Sequence, residues 1–273
     1  FTLLYRDEQK IARRIKEFSD KESLSEEARR QAEEMLSTVT DQAKHRLSEL
    51  VVKRRQVLSL ARSYLRYNDK EEKTYAYEKA IHDLICPLKR FYTDQDYQSH
   101  NLWIVDDLLA YYSFFASDKP IKTFADDSGS GDRPDLIFLN PLGFRREGTN
   151  EPVVLIEFKR PGDETPSQNP VEQILEYIEQ LKERTVRTID GEVVSDITQN
   201  TPFECYIICD LTSRTRRMLQ RSQAPYETPD GEGLYGFAPN HKAAIHVISF
   251  RKMLRDAELR NEAFFKRLGL LRI

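Results

Sequence analysis

The chain has 273 residues, enough to bury a full core as one large domain or two modest ones. Charged residues make up 32% and the mean hydropathy is −0.64, so part of the chain is expected to be extended, exposed helix. The net charge of −3 excludes a histone-like polycation, yet residues 201–273 carry twelve Lys/Arg against eight Asp/Glu, which places any nucleic-acid contact in a local patch.

Cys86, Cys205 and Cys209 are odd in number, sit in apolar contexts and show no partner pattern, and Cys205 and Cys209 have no His nearby in sequence, so they read as reduced core cysteines rather than disulfides or a zinc site. No apolar run approaches the ~18 residues that cross a bilayer, and none reads as a signal peptide. A cytoplasmic protein is expected. The chain opens at Phe1 without a Met, which suggests a piece of a longer protein.

Residues 1–70 contain neither Gly nor Pro. Leu4, Ile11, Ile15 and Phe18 describe a short amphipathic helix. After a Ser23–Glu26 capping box, apolar residues at three- and four-residue spacing from Ala28 to Leu65 describe a long one. Residues 1–72 are therefore expected to form a helical-hairpin or coiled-coil arm, a connector or oligomerisation element, ahead of a second domain over 73–273. In that domain the spacing predicts a helix from Tyr75 towards Pro87, a strand at "NLWIVDD" and an acidic, flexible loop at "ADDSGSGDRP". Strands follow at "DLIFLN" (135–140) and "VVLIEFK" (153–159), joined by the turn-rich "PLGFRREGTNEP". "NPVEQILEYIEQLKER" has Asn169 as N-cap, Pro170 at the first helical position, and Val171, Ile174, Leu175, Ile178 and Leu181 on one face. A strand at "FECYIICD", a short Arg-rich helix, a Gly-rich turn, a strand at "AAIHVISF" and a terminal helix complete an α-β-β-β-α-β-α-β-α order, an α/β mixed sheet flanked by helices.

The apolar run Val153–Ile156 ends in Glu157-Phe158-Lys159. Strand alternation puts Glu157 and Lys159 on one face. Asp135 opens the preceding strand just after Pro134, which cannot extend a ladder, so hairpin pairing would bring Asp135 close to Glu157. Two carboxylates and an amine suit metal-assisted phosphodiester hydrolysis. The acids bind Mg²⁺ (or Mn²⁺), the Phe158 carbonyl adds a ligand, and Lys159 assists the attacking water. Glu-x-Lys also occurs at Glu8–Lys10 and Glu71–Lys73, so the buried-strand context is what distinguishes this copy. A surface ion pair followed by a Pro-Gly turn is the plainer reading.

Pro134-Asp135 with Glu157-Phe158-Lys159 resembles the PD-(D/E)XK (restriction-endonuclease-like) nuclease signature, and Gln173-Ile-Leu-Glu-Tyr177 resembles the Gln-x-x-x-Tyr element of its recombination-exonuclease branch. "YEKAIHDLICPL", "NLWIVDDLLAYYSFFASDKP" and "DRPDLIFLN" are similar to the nuclease module C-terminal to bacterial Hsp90-like (GHKL) ATPase domains and to the Shedu anti-phage nuclease domain, over roughly residues 45–250. The resemblance implies an α-β-β-β-α-β core and a divalent-metal-dependent hydrolase, a DNA endonuclease rather than an RNA enzyme, acting as the effector of an antiviral defence ATPase–nuclease. It also implies an ATPase domain upstream, Asp135, Glu157, Lys159 and Gln173 as catalytic residues, and Glu78 as an additional metal-site acid, while the spacing of the N-terminal helices points to a homo-oligomer formed through them. The alternative is a catalytically silent nuclease-like module that binds nucleic acid or oligomerises. His82 reads as a packing residue, Asp106 and Asp107 as caps of a helix in "LLAYYSFFA" or as site acids, and Asp126, Asp127 and Asp132 as a solvated or gating loop. Arg214, Arg216, Arg217 and Arg221 are the candidate nucleic-acid (phosphate) contacts, or a solvated helix face.

Overall fold

The computed structural model describes residues 41–66, 74–89, 100–110, 114–139, 152–161, 168–188 and 190–270. The chain divides into two compact units, residues 1–54 and 55–273. Of the first, only residues 41–54 are described, as the N-terminal part of helix α1 (Asp41–Arg66). The short helix expected from Leu4 to Phe18 and the Ser23–Glu26 box lie outside the described residues.

Within the second unit, α1 turns Leu58 and Ala61 inward, and Arg55 and Arg62 grip Glu258 of the last helix. Helix α2 (Thr74–Ile85) buries Ile81, His82 and Ile85 and stops before Pro87, which cannot supply the next helical N–H. Among the described residues the large sheet has seven strands. They are β1 (Phe114–Ser117), β2 (Leu136–Leu139), β3 (Val153–Phe158), β6 (Phe203–Ile208), β7 (Tyr226–Glu227), β8 (Gly233–Ala238) and β9 (Ala243–Ile248). A separate hairpin holds β4 (Arg184–Arg187) and β5 (Val193–Ile197).

In space the large sheet runs β1-β2-β3-β6-β9-β8-β7. β1, β2 and β3 form an antiparallel meander, β3, β6 and β9 run parallel, and β8 and β7 return antiparallel. Helix α3 (Pro170–Leu181) makes the crossover from β3 to β6. Its Asn169 cap accepts from the Val171 N–H at 3.0 Å, and Pro170 loses no intrahelical bond at the first position. Helix α4 (Ser213–Gln220) follows β6, and α5 (Phe250–Arg267) follows β9. Val153 and Leu155 share one core with Val171, Ile174, Tyr177 and Ile178 of α3. All six residues of β3 are buried, which is why its sequence reads as a continuous apolar run rather than an alternating one. Among the described residues no helix is long and apolar enough to cross a membrane.

The fold corrects two expectations. "NLWIVDD" is not a strand. Leu102–Ile104 form a 3₁₀ turn closed by Ile104 N–H to Asn101 O and Val105 N–H to Leu102 O, and all of Leu102–Val105 are buried. Nor is "LLAYYSFFA" one helix. A four-residue 3₁₀ turn, Asp107–Ala110, is followed by strand β1, which pairs Phe114 with Leu139 and Ser117 with Leu136. A short apolar run has no period that separates strand from helix, and pairing with β2 decided the matter.

The expected Gly-rich turn forms after Thr228, where the Gly231 N–H donates to Thr228 O at 2.8 Å with Gly231 at φ 66°. Strand β8, which was not expected, follows that turn. Its glycines mark a close approach: a Cβ at Gly236 would lie 1.8 Å from the Gln223 carbonyl oxygen, where the 223–224 backbone crosses the sheet. Gly236→Ala is therefore expected to cost about 1–3 kcal/mol, read as a fall of several degrees in Tm by circular dichroism. An unchanged Tm would show that this crossing yields freely.

Candidate active site at the end of strand β3

The β2–β3 register pairs Leu136 with Ile156. Continued by one step it sets Asp135 opposite Glu157, and by two steps Pro134 opposite Phe158. Proline has no N–H to offer the Phe158 carbonyl, so the ladder ends there. The Asp135 side chain takes over: its Oδ2 accepts the Phe158 N–H at 2.7 Å. On the other side, Lys159 N–H donates to Ile208 O at 2.8 Å, so β6 still holds the end of β3.

Beyond the ladder, Lys159 folds back. Its Nζ donates to Glu157 Oε1 at 2.8 Å and to Gln173 Oε1 at 2.6 Å. Gln173 Nε2 donates in turn to the Tyr177 hydroxyl at 2.5 Å, and that hydroxyl donates to Arg133 O at 3.2 Å. Strand, helix and the loop before β2 are thus joined by one run of hydrogen bonds. Tyr177 is buried within the apolar stripe of α3 rather than off it. Burial, followed by the Glu157 charge, raises its phenol well above the ordinary range.

Glu157 is 4% exposed, and its Oε2 has no hydrogen-bond partner among the described residues. Desolvation pushes its carboxyl up to about 8; the Asp135 charge adds to the rise, and the Lys159 cation opposes it. A buried carboxylate oxygen without a donor is costly unless a proton or a cation meets it. Together with the Asp135 carboxylate, Glu157 offers hard oxygen donors of the kind that suit Mg²⁺ or Mn²⁺. No group of three His, Cys, Asp or Glu side chains converges among the described residues, so the rest of a coordination shell would come from the Phe158 carbonyl, water and substrate.

The other candidates fall in different places. Glu78 lies on α2 one turn before His82, and its side chain is outside the described residues. His82 is buried edge-on to the Phe158 ring with centroids 5.3 Å apart, and its Nδ1 lies 3.0 Å from Cys86 O. Burial lowers its pKa. Asp106 Oδ1 accepts the Leu108 N–H at 2.9 Å, capping the second 3₁₀ turn, and Asp107 pairs with Arg260 at 3.0 Å. In the acidic loop, Asp126 binds Arg187 at 2.5 Å and Asp132 accepts from Gln180 of α3 at 2.5 Å, while Asp127 stands exposed at φ 55°. Arg216 is tied to Glu227 at 3.1 Å and to Gly231 O, whereas Arg214, Arg217 and Arg221 are exposed.

Asp118, not singled out by sequence, donates its N–H to Asp135 O at 3.0 Å from a left-handed residue at the end of β1. Its place beside the site followed from β1, the strand that the apolar run concealed.

Comparison of the chain with protein-family models, with curated proteins and with solved structures finds no match in any of the three.

Glu157 sets a pH dependence. Folded, its carboxyl keeps a proton that the unfolded chain releases near 4.5, so native stability falls as pH rises from about 4.5 to about 8. Glu157→Gln removes that dependence. Measured without divalent cations, the variant is expected to melt a few degrees above wild type near the upper end of this window and equal to it at the lower end. Parallel Tm–pH curves would show that Glu157 is not held protonated.

Proposed function

We propose that this chain is a divalent-metal-dependent nuclease of PD-(D/E)XK type that hydrolyses phosphodiester bonds, with DNA as substrate and Mg²⁺ or Mn²⁺ as cofactor. The observation that carries the reading is the buried, unpartnered Glu157 Oε2 beside Asp135, with Lys159 held 2.8 Å from the same carboxylate. The element order supports it. From α2 the chain runs helix, three antiparallel strands, crossover helix and parallel strand, and the acids come from the ends of the second and third strands.

Asp135, Glu157 and the Phe158 carbonyl would hold a divalent cation, which when bound would polarise the phosphate and lower the pKa of a water. Lys159 has three protons and spends two of them on Glu157 and Gln173. The third orients the attacking water, and the ammonium offsets the charge that builds on the phosphate. Gln173 fixes Lys159, and Tyr177 fixes Gln173. Glu78 is proposed as a further acid of the metal site. The resemblance of its short motifs to modules that follow GHKL ATPases and to Shedu nucleases is the ground for proposing an anti-phage setting with an ATPase upstream, and the helical spacing of residues 1–72 for proposing a homo-oligomer.

The test is cleavage of plasmid and linear DNA with Mg²⁺ or Mn²⁺. Glu157→Ala and Lys159→Ala are each expected to lose at least about a hundredfold in rate. Gln173→Ala, which acts through Lys159, is expected to lose about ten- to a hundredfold. Calorimetric titration with Mn²⁺ is expected to show heat that disappears in Asp135→Ala, with affinity rising as pH approaches 8 and Glu157 gives up its proton. Cleavage that survives both Glu157→Ala and Lys159→Ala would sink the assignment. A wild-type chain that neither takes up Mn²⁺ nor cuts would mark a silent nuclease-like module instead.

A further inference from the structure

Helix α4 carries charge that the catalytic reading does not use. Its opening residues, Ser213–Arg217, include Arg214, Arg216 and Arg217 and no acid. A helix start concentrates positive potential, from the macrodipole and from N–H groups without helical partners, so acids are favoured there and cations are not. Arginines at that end destabilise the helix unless an anion meets them.

The packing of α4 places them beside the candidate site. Leu219 lies in the core that holds Val153, Leu155 and α3. Strand alternation continues that face from Leu155 to Glu157 and Lys159, so α4 covers the same side of the sheet as the site. It also starts at the same edge: β6 pairs Ile208 with Phe158 at the end of β3, and α4 opens just beyond, at Ser213. Cys209, between the two, senses both. Burial and then the Asp210 charge raise its thiol, while the Lys159 and Arg216 cations act to lower it.

Helical spacing then sorts the arginines. Thr215 and Leu219 face the core. Arg216 and Gln220, four apart on one flank, both donate to Glu227 of β7, and Arg216 also reaches Gly231 O. Arg214, Met218 and Ser222 step by four along the other flank, where Ser222 Oγ accepts from Asn169 Nδ2, at the cap of α3, at 2.5 Å. That flank is turned to α3, whose Gln173 holds Lys159. Arg214 therefore stands at the sheet-edge end of α4, on the side of the site. Arg217 is exposed on the outer face, its Nε donating to Ser213 O at 3.2 Å. Neither Arg214 nor Arg217 forms an ion pair among the described residues. Arg221 differs, because Asn169 Nδ2 also donates to Glu172 Oε1 at 3.2 Å and so brings an acid to its end of α4.

Two free guanidinium forks, one beside the Glu157–Lys159 end and the next further out, match a backbone that presents a phosphate at every nucleotide. The planar fork of arginine takes phosphate bidentately, and a helix start adds its own N–H dipoles. We propose that Arg214 and Arg217 bind the DNA backbone phosphates beside the one that is cut, while Arg216 ties α4 to β7 and takes no part. The identity of the anion rests on the nuclease reading, to which this adds the direction of the strand: across the ends of β3 and β6 towards α4.

The experiment is fluorescence anisotropy with the full chain and a fluorescein-labelled DNA duplex in EDTA, repeated over a range of salt. Arg214→Ala and Arg217→Ala are each expected to weaken binding about tenfold and to reduce the salt slope by about 1, with Tm unchanged. Arg214→Lys is expected to keep the slope and lose part of the affinity. Arg267→Ala removes the same charge from the exposed end of α5, which packs against α1 and α2, and is expected to leave the slope as it is. In Mn²⁺, Arg214→Ala is expected to raise KM for cleavage about tenfold with kcat within about twofold of wild type. Wild-type affinity and slope in an Arg214→Ala/Arg217→Ala double variant would overturn the proposal, as would a wild-type chain that leaves the duplex free. So would an equal fall in slope in Arg267→Ala, since total charge and not place would then govern binding. Arginine-dependent binding without cleavage keeps the contact and sinks the nuclease, while cleavage with wild-type KM in the double variant does the reverse.

Discussion

A carboxylate buried at the end of a strand is the constraint around which this part of the chain is arranged. Glu157 follows four aliphatic residues and shares their burial, so it is held where water cannot solvate it. Removing an ionised carboxylate from water is expensive, and the protein answers with the Lys159 ammonium on one oxygen and no donor on the other. The incomplete answer is the observation on which the proposed metal site rests. A fully satisfied ion pair would be structural; a half-satisfied one waits for a proton or a cation. Lys159 is kept in place by α3, so the crossover helix and the strand it leaves are both committed to this one pair of charges.

The topology explains why the charges sit at this end. β3, β6 and β9 run parallel, and the chain leaves each of them at the same edge of the sheet, where α3, α4 and α5 begin their return. Ligand sites of open α/β sheets collect at the carboxyl ends of strands because loops and helix starts converge there. The sheet treats its faces in two ways, buried on both sides at β3 and open on one side along β8 and β9.

Much of the centre could be read from the chain alone. The alternation in 153–159, the Asn169-Pro170 helix start and the burial of "FECYII" each rest on a local rule with a single outcome. The margins could not. Leu102–Val105 and Phe114–Ser117 are both short and apolar, and only the pairing of β1 with Leu136–Leu139 decides which is the strand. Tyr177 stands outside the aliphatic positions of α3, yet its ring packs in the core while its hydroxyl reaches Gln173 and Arg133. β8 was hidden by its glycines, of which Gly236 lets the Gln223 backbone pass. Spacing along one strand is legible; crossing of distant segments is not.

Pro134 closes the account in a different way. A sheet end normally frays one hydrogen bond at a time, because nothing beyond the last pair resists it. Here the fraying point is stitched by Asp135, whose side chain substitutes for the N–H acceptor that the next ladder rung would have supplied. The stitch and the acid are one residue. The placing of Asp135 opposite Glu157 is thus a property of strand registration, set where a proline without an N–H ends the ladder.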